Sequence, residues 1–308
     1  MQKQWHFLPA PDPEQVGFLA EDLHVNTTLA QLLFQRGIED FDEAKYFFRP
    51  SLDHLHDPFD MKDMDVAVTR IIEAIEDNQR LLIYGDYDVD GTTSVSMMVT
   101  YLRHYHKHLE YYVPDRYSEG YGVSSQGILW AKDHDIDLII SLDCGINAFE
   151  TIDQANALGI DFIVCDHHRP DKELPKALAI LDPKRSDCDY PFKELSGCGV
   201  GFKLLQALTD TMSWPDQPLY DMLDLVAVSI AADIVPIVDE NRTLAHFGLK
   251  KLNQAPRPGL AALIAVGGLK HPLTITNVVF GIAPRINAAG RIAHAMGAVD
   301  LLLSNDVE

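Results

Sequence analysis

The chain has 308 residues, 47% of them hydrophobic and 23% charged, an ordinary balance for a soluble globular protein with room for one large domain or two. Its 25 basic residues against 46 acidic ones give a net charge of −21, which argues against generic adhesion to DNA or anionic membrane, leaves room for a local basic track, and suits a site that collects divalent cations. The opening "MQKQWHFLPAPDPEQ" lacks the apolar stretch of a secretory signal, and the longest apolar run, Leu225 to Val238, is interrupted by Asp233 and Pro236, so no membrane span is expected.

In chain order, residues 1–60 read as a helical, acidic segment, with helix-spaced apolar positions in "TLAQLLFQRGI" and breakers at Pro50 and Pro58. From about residue 61 to 240, helices and strands alternate. An amphipathic helix "MDVAVTRIIEAIED" leads to a strand "RLLIYGD". A helix from Thr92 to about His106 precedes the strand "LEYYVP". A helix near 125–134 leads to "DLIISLD", and "NAFETIDQANALG" leads to "DFIVCD". Continuous apolar strands alternating with helices predict an α/β domain, a parallel sheet covered by helices on both faces. Residues 241–308 read as a helical portion. The four cysteines show no C-x-x-C spacing, and a reduced, cytoplasmic protein is expected.

Three predicted strands end in acids, at Asp86, Asp143 and Asp166, and functional groups of open parallel sheets gather at such carboxyl ends. In "YGDYDVDGTT", Asp86, Asp88 and Asp90 alternate directly after a strand. Carboxylates that close repel one another unless cations neutralise them. A calcium loop would need a bidentate Glu where Met97 stands, so that reading fails. "DVDGT" also resembles the opening motif of haloacid-dehalogenase-type phosphatases, with Asp88 as nucleophile, but this leaves His167 and His168 without a role. The third reading employs all of them. Asp88, Asp90, Asp143 and His167 could hold two cations ~3.5–4 Å apart, with imidazole favouring a transition ion such as Mn²⁺. Asp233, breaking an apolar run, would be costly to bury without a cation.

The segments "GDYDVDGTTS" (85–94), "PDRYSEGYG" (114–122), "SLDCGI" (141–146), "CDHH" (165–168), "GCGVGFKL" (197–204), "AADIVP" (231–236) and "PRINAAGRI" (284–292) together resemble the DHH phosphoesterase superfamily. Within it they resemble the RecJ-type single-stranded-DNA-specific exonucleases, over nearly the whole chain. The resemblance implies a DHH phosphoesterase domain and a 5′→3′ exonuclease acting in DNA repair and recombination. The alternative is a cousin that hydrolyses short oligonucleotides or dinucleotides. It further implies that Asp90, Asp143, His167 and Asp233 coordinate one Mn²⁺, and that Asp88 and Asp143, with Asp86, hold a second, Mg²⁺ being the substitute. His168 would contact the scissile phosphate, Asp166 would orient an imidazole, and Arg116, Arg285, Asn287 and Arg291 would grip the strand. Arg169 is left without an assignment. The implied partners are single-stranded DNA, a single-strand-binding protein and a helicase, with no membrane contact and a monomeric state. The resemblance also implies a second lobe and an oligonucleotide-binding-type domain whose motifs do not occur in these residues, so the chain is expected to be the catalytic lobe of a longer protein.

Overall fold

The computed structural model describes residues 4, 6, 8–292 and 295–306, with Arg291 and Ile292 as backbone only. The chain divides into two compact units, residues 1–55 and 56–308. The first is built from α1 (Pro13–Leu23), α2 (Thr27–Phe34) and α3 (Phe41–Phe48). Each begins where a side-chain oxygen meets a free amide: Asp12 accepts from Glu14 N, Asn26 from Leu29 N and Asp40 from Glu43 N. Val16, Leu19, Ala20 and Ala30 form its small core.

The second unit opens with α4 (Met64–Glu76) and alternates as β1 (Leu81–Gly85), α5 (Val89–Leu102), β2 (Leu109–Tyr112), α6 (Ser125–Asp133), β3 (Leu138–Leu142), α7 (Phe149–Ala157), β4 (Asp161–Cys165) and β5 (Ala179–Leu181). The five strands pair in parallel in the order β2-β1-β3-β4-β5. This is the predicted helix-flanked parallel sheet, with one more strand than the sequence announces. Because side chains alternate across a sheet, Leu82, Tyr84, Ile139, Phe162 and Val164 share one face with Ile128 of α6 and Ile152 of α7. The opposite face packs against α4, α5 and α8 (Gly197–Met212).

The rest is helical: α9 (Asp216–Tyr220), α10 (Leu223–Asp233), α11 (Asp239–Gln254), α12 (Pro258–Val266), then α13 (Ile275–Asn277), which passes through a π-helical turn at Val278–Ile282 into α14 (Ala283–Ile292), and finally α15 (Met296–Leu303). Helix α10 packs on α5 and α8, and α14 reaches both α5 and α10. Among the described residues, no helix is long and apolar enough to cross a membrane.

Strand order fixes where a site can form. The chain leaves β1 toward β2 on one side and later returns to β3 on the other, so connections diverge above the β1–β3 boundary. Gly85, Leu142 and Cys165 are register partners, as are Cys165 and Leu181. The next residues, Asp86, Asp143, Asp166 and Asp182, therefore stand side by side along the carboxyl edge.

Candidate metal centre

Asp88 caps α5, its Oδ1 accepting from Gly91 N at 2.9 Å. Asp90 consequently lies in the first helical turn, not in a loop before a helix beginning at Thr92. Gly91 makes this tight turn possible: a Cβ there would lie 2.4 Å from Asp86 O and 2.6 Å from Asp86 N. Asp90 is buried and fully engaged. Gly197 N donates to its Oδ2 at 2.7 Å, while Cys198 N and Ser229 Oγ donate to its Oδ1 at 2.8 and 2.7 Å. The first two donors are free amides at the start of α8, where a helix favours negative charge.

Asp143 is the opposite case. Fully buried, it adopts a left-handed backbone (φ 60), and neither carboxylate oxygen has a hydrogen-bond partner. Gly197 approaches it so closely that a Cβ at that position would lie 2.6 Å from Asp143 Cβ. His167 Nε2 stands 3.1 Å from Asp143 Oδ1 and 3.7 Å from both Asp90 Oδ2 and Asp233 Oδ2, yet both its ring nitrogens are buried and lack an aligned hydrogen bond. Asp86 Oδ2 is likewise buried and without a hydrogen bond, and Asp86 Oδ1 accepts a long 3.4 Å bond from Gly122 N.

The electrostatics match this crowding. Burial, then Asp88, pushes the Asp86 carboxyl up to about 7. Burial and Asp90 raise Asp88. Burial, then Asp90 and Asp88, drives Asp143 well above the carboxylate range. Burial and Asp90 bring Asp233 to about 6. Uncompensated buried carboxylates cost several kcal/mol each, comparable with what one or two fully buried aliphatic side chains contribute. Divalent cations would satisfy the unpaired oxygens and the imidazole together, and the donor set of carboxylates plus one imidazole fits Mn²⁺ or Mg²⁺. Two trios bring one ligand atom each to within 4.8 Å of one another: Asp90, His167 and Asp233, and Asp143, His167 and His168.

The two adjacent histidines have different surroundings. His168 is half exposed. Its Nδ1 lies 2.7 Å from Asp166 Oδ1 and its Nε2 lies 3.2 Å from Tyr121 Oη. Asp166 is buried, accepting also from the amides of His167, His168 and Ile146. Burial alone would raise its pKa, but the His168 hydrogen bond and charge outweigh it and hold the carboxyl below its usual range. The same bond raises the His168 pKa against the effect of burial. Asp166 thus orients His168, while it touches His167 through the backbone amide.

The four expected strand contacts are distributed unevenly. The Arg116 guanidinium stacks 4.5 Å over the Tyr87 ring, which meets Tyr121 edge-on, linking it through aromatic rings to His168. Arg285 donates to Gly281 O on its own helix, and no hydrogen bond or ion pair among the described residues joins it to the carboxylates. Asn287 is half buried on α14, a helix that comes close to Tyr87 O at Gly290. The Arg291 side chain lies outside the described residues. Missed from the sequence were Ser229, the α8 amides, the Tyr121 hydroxyl and Asp182. The last is fully buried, with burial raising its carboxyl to about 7 and one oxygen unpaired.

Residues 80–230 match the family model described as DHH family, N-terminal domain. The chain is 43% identical over 297 residues to the single-stranded-DNA-specific exonuclease RecJ of Bacillus subtilis (strain 168), covering 96% of this chain and 37% of that protein. It is 35% identical over 259 residues to RecJ of Escherichia coli (strain K12), covering 80% and 45%. The Mn²⁺ complex of RecJ from Thermus thermophilus superposes with a TM-score of 0.82 at 29% identity, covering 97% of this chain and 42% of that one. An exonuclease RecJ bound to manganese gives 0.75 at 33% identity, covering 83% and 64%. The chain thus spans well under two thirds of the length of these curated relatives. With the motif acids gathered at one sheet edge and the family model matched over the sheet that carries them, the chain belongs to the DHH family.

Proposed function

We propose that this chain is the catalytic part of a metal-dependent exonuclease that hydrolyses single-stranded DNA from its 5′ end in DNA repair and recombination. The observation that carries the reading is the convergence of buried, unpaired ligand atoms, Asp143 Oδ1 and Oδ2, His167 Nε2 and Asp86 Oδ2, at the divergence point of a parallel sheet. Similarity to RecJ enzymes, two of them bound to Mn²⁺ in their solved structures, supplies the substrate class and the choice of ion.

Asp90, Asp143, His167 and Asp233 would hold one Mn²⁺, and Asp86, Asp88 and Asp143 the other, with Mg²⁺ as the substitute. When bound, the two ions would polarise the phosphodiester and activate a water for attack at phosphorus. The chain's own groups then have distinct tasks. The α8 amides and Ser229 fix the Asp90 carboxylate, so that it need not reorganise on binding. Asp166 holds His168 by Nδ1 and favours its cationic form, leaving Nε2 to donate to a phosphoryl oxygen and offset its charge. In the structure that Nε2 lies 3.2 Å from Tyr121 Oη. Arg116, Arg285, Asn287 and Arg291 are the proposed strand contacts. A single-strand-binding protein and a helicase are the proposed protein partners, with a cytoplasmic, monomeric enzyme.

Mn²⁺ titration by calorimetry, together with hydrolysis of 5′- and 3′-labelled single strands by the full-length protein, tests the reading. Wild type should bind two ions per chain and release labelled mononucleotide first from the 5′ label. Asp143→Ala should lose at least one ion and the activity. Unchanged stoichiometry in that variant, or a phosphorylated Asp88 trapped during turnover, would refute the two-ion assignment.

A further inference from the structure

A second charged feature, unused by the metal centre, lies past the β5 end of the same sheet edge. A cavity of ≈ 430 Å³ is lined by Arg169, Pro183, Lys184, Arg185, Lys193 and Glu194, four cations against one acid, in a chain whose net charge is −21. Like charges gathered in one hollow repel one another, and an anion bound there offsets that repulsion.

The four cations are not equivalent. Arg185 is buried and spent: its Nη1 donates to Asp63 Oδ2 and Ile180 O, and its Nε and Nη2 clasp Asp187. It stiffens the wall. Lys184 Nζ lies 3.4 Å from Glu194, so those charges offset each other. Asp182 lies beneath the rim, its Oδ1 accepting from Lys184 N. Among the described residues, Lys193 Nζ donates to a neutral carbonyl, Cys188 O at 2.6 Å, and to no acid. Arg169 is exposed and, among the described residues, has no ion pair or hydrogen bond. Arg169 and Lys193 are therefore the two cations of the hollow without an acid partner among the described residues. One of them follows His168 directly, a single Cα–Cα step of ~3.8 Å beyond the imidazole proposed to touch the scissile phosphate. Among the described residues no aromatic ring lines the hollow, so bases have nothing there to stack on, whereas phosphates find both a charge and a fork of donors.

We infer that this groove binds the backbone of the single strand on the side away from the released nucleotide, with Arg169 and Lys193 as sequence-independent phosphate contacts. The inference rests on the exonuclease reading above and extends it from the scissile bond to the body of the strand.

The test measures binding of a long mixed-sequence single strand and of a dinucleotide to the full-length protein by fluorescence anisotropy. Ca²⁺ replaces the hydrolytic ion, and salt is varied. Arg169→Glu and Lys193→Glu are compared with Lys132→Glu, an exposed residue of α6 that carries the same charge change. Arg169→Glu should weaken the long strand by about tenfold and lower the slope of log Kd against log salt by ~0.7 per phosphate lost. Lys132→Glu should change neither, and dinucleotide affinity should stay at the wild-type value in all three. Unaltered long-strand affinity in Arg169→Glu, an equal loss in Lys132→Glu, or a loss already present with the dinucleotide would overturn the groove. Wild type that binds no single strand at all would overturn the exonuclease reading as well. Arg169→Ala, which removes an exposed side chain, should reproduce part of the loss with unchanged melting temperature.

Discussion

Gly197→Ala is the substitution that most directly tests how Asp143 is held. The added methyl would lie 2.6 Å from Asp143 Cβ, 2.7 Å from Oδ1 and 2.9 Å from Cα. Ordinary contact begins near 3.4 Å, so either α8 or Asp143 must move by about 0.8 Å, the scale at which misplaced reactive groups lose ~100-fold in rate. Neither has slack. Helix α8 is tied to Asp90 by two amides, and Asp143 continues the sheet ladder through its own amide, which donates to Cys165 O at 2.9 Å. The displacement therefore falls on the carboxylate, and Mn²⁺ affinity should drop by ~10–100-fold, as when a group supporting a metal ligand is removed. Gly199→Ala is the control at the same helix start, because its methyl would meet the flexible Leu195 side chain at 3.3 Å. Calorimetric Mn²⁺ binding and a melting curve should be run on both. Wild-type Mn²⁺ affinity in a folded Gly197→Ala protein would refute the claim that this close approach sets the position of Asp143.

Metal-free protein should lose stability as pH rises. Asp86 is raised from 3.8 to about 7 by burial and then by Asp88. A group so raised contributes its stability below the unfolded value and loses it as pH climbs through the folded one. Roughly three units correspond to something on the order of 4 kcal/mol, so the metal-free melting temperature should fall between about pH 4 and about pH 7. Mn²⁺ should reverse the fall, and its affinity should rise over the same window; a flat profile would contradict the burial argument. Away from the site, Glu240→Ala should destabilise by ~3–5 kcal/mol, because it strands a buried lysine. Lys203 Nζ and Glu240 Oε1 are 3.0 Å apart and both side chains are fully buried, while Tyr190 Oη also donates to Glu240 at 2.6 Å. Denaturant unfolding should show that loss with Mn²⁺ stoichiometry intact.

The sheet was readable because β1, β3 and β4 are continuous apolar runs that end in acids, a pattern that needs no long-range information. Strand β5 escaped because only Ala179–Leu181 pair with the sheet, and with it went Asp182. The start of α5 was misplaced by three residues. "DYDVDG" has the composition of a loop, yet Asp88 caps a helix whose first turn is allowed by Gly91 packed on Asp86. What no local pattern could reveal is the contact between Asp90 and the α8 amides, 107 residues away in sequence. Nor could spacing show that Arg285 bonds back to Gly281 on its own helix, or that Tyr121 reaches His168.

That long-range contact explains why the cluster tolerates so many acids in one place. The Asp90 carboxyl is held in place by the fold itself, through two helix amides and a hydroxyl, whereas Asp143 and Asp86 are buried with oxygens that have no hydrogen bond. The fold thus anchors one carboxyl group and leaves its neighbours dependent on something outside the chain. If every carboxylate were satisfied internally, cations would gain little by displacing those bonds. If none were, the cluster would spread apart or protonate, and its geometry would be lost. A site with one anchored and several unsatisfied carboxylates keeps its shape while retaining its demand for positive charge, so cation binding and folding stability become coupled quantities. The same logic separates the two histidines: His168 is held by Asp166 and faces outward, while His167 is buried among carboxylates with neither ring nitrogen in a hydrogen bond, as its proposed ligand role requires.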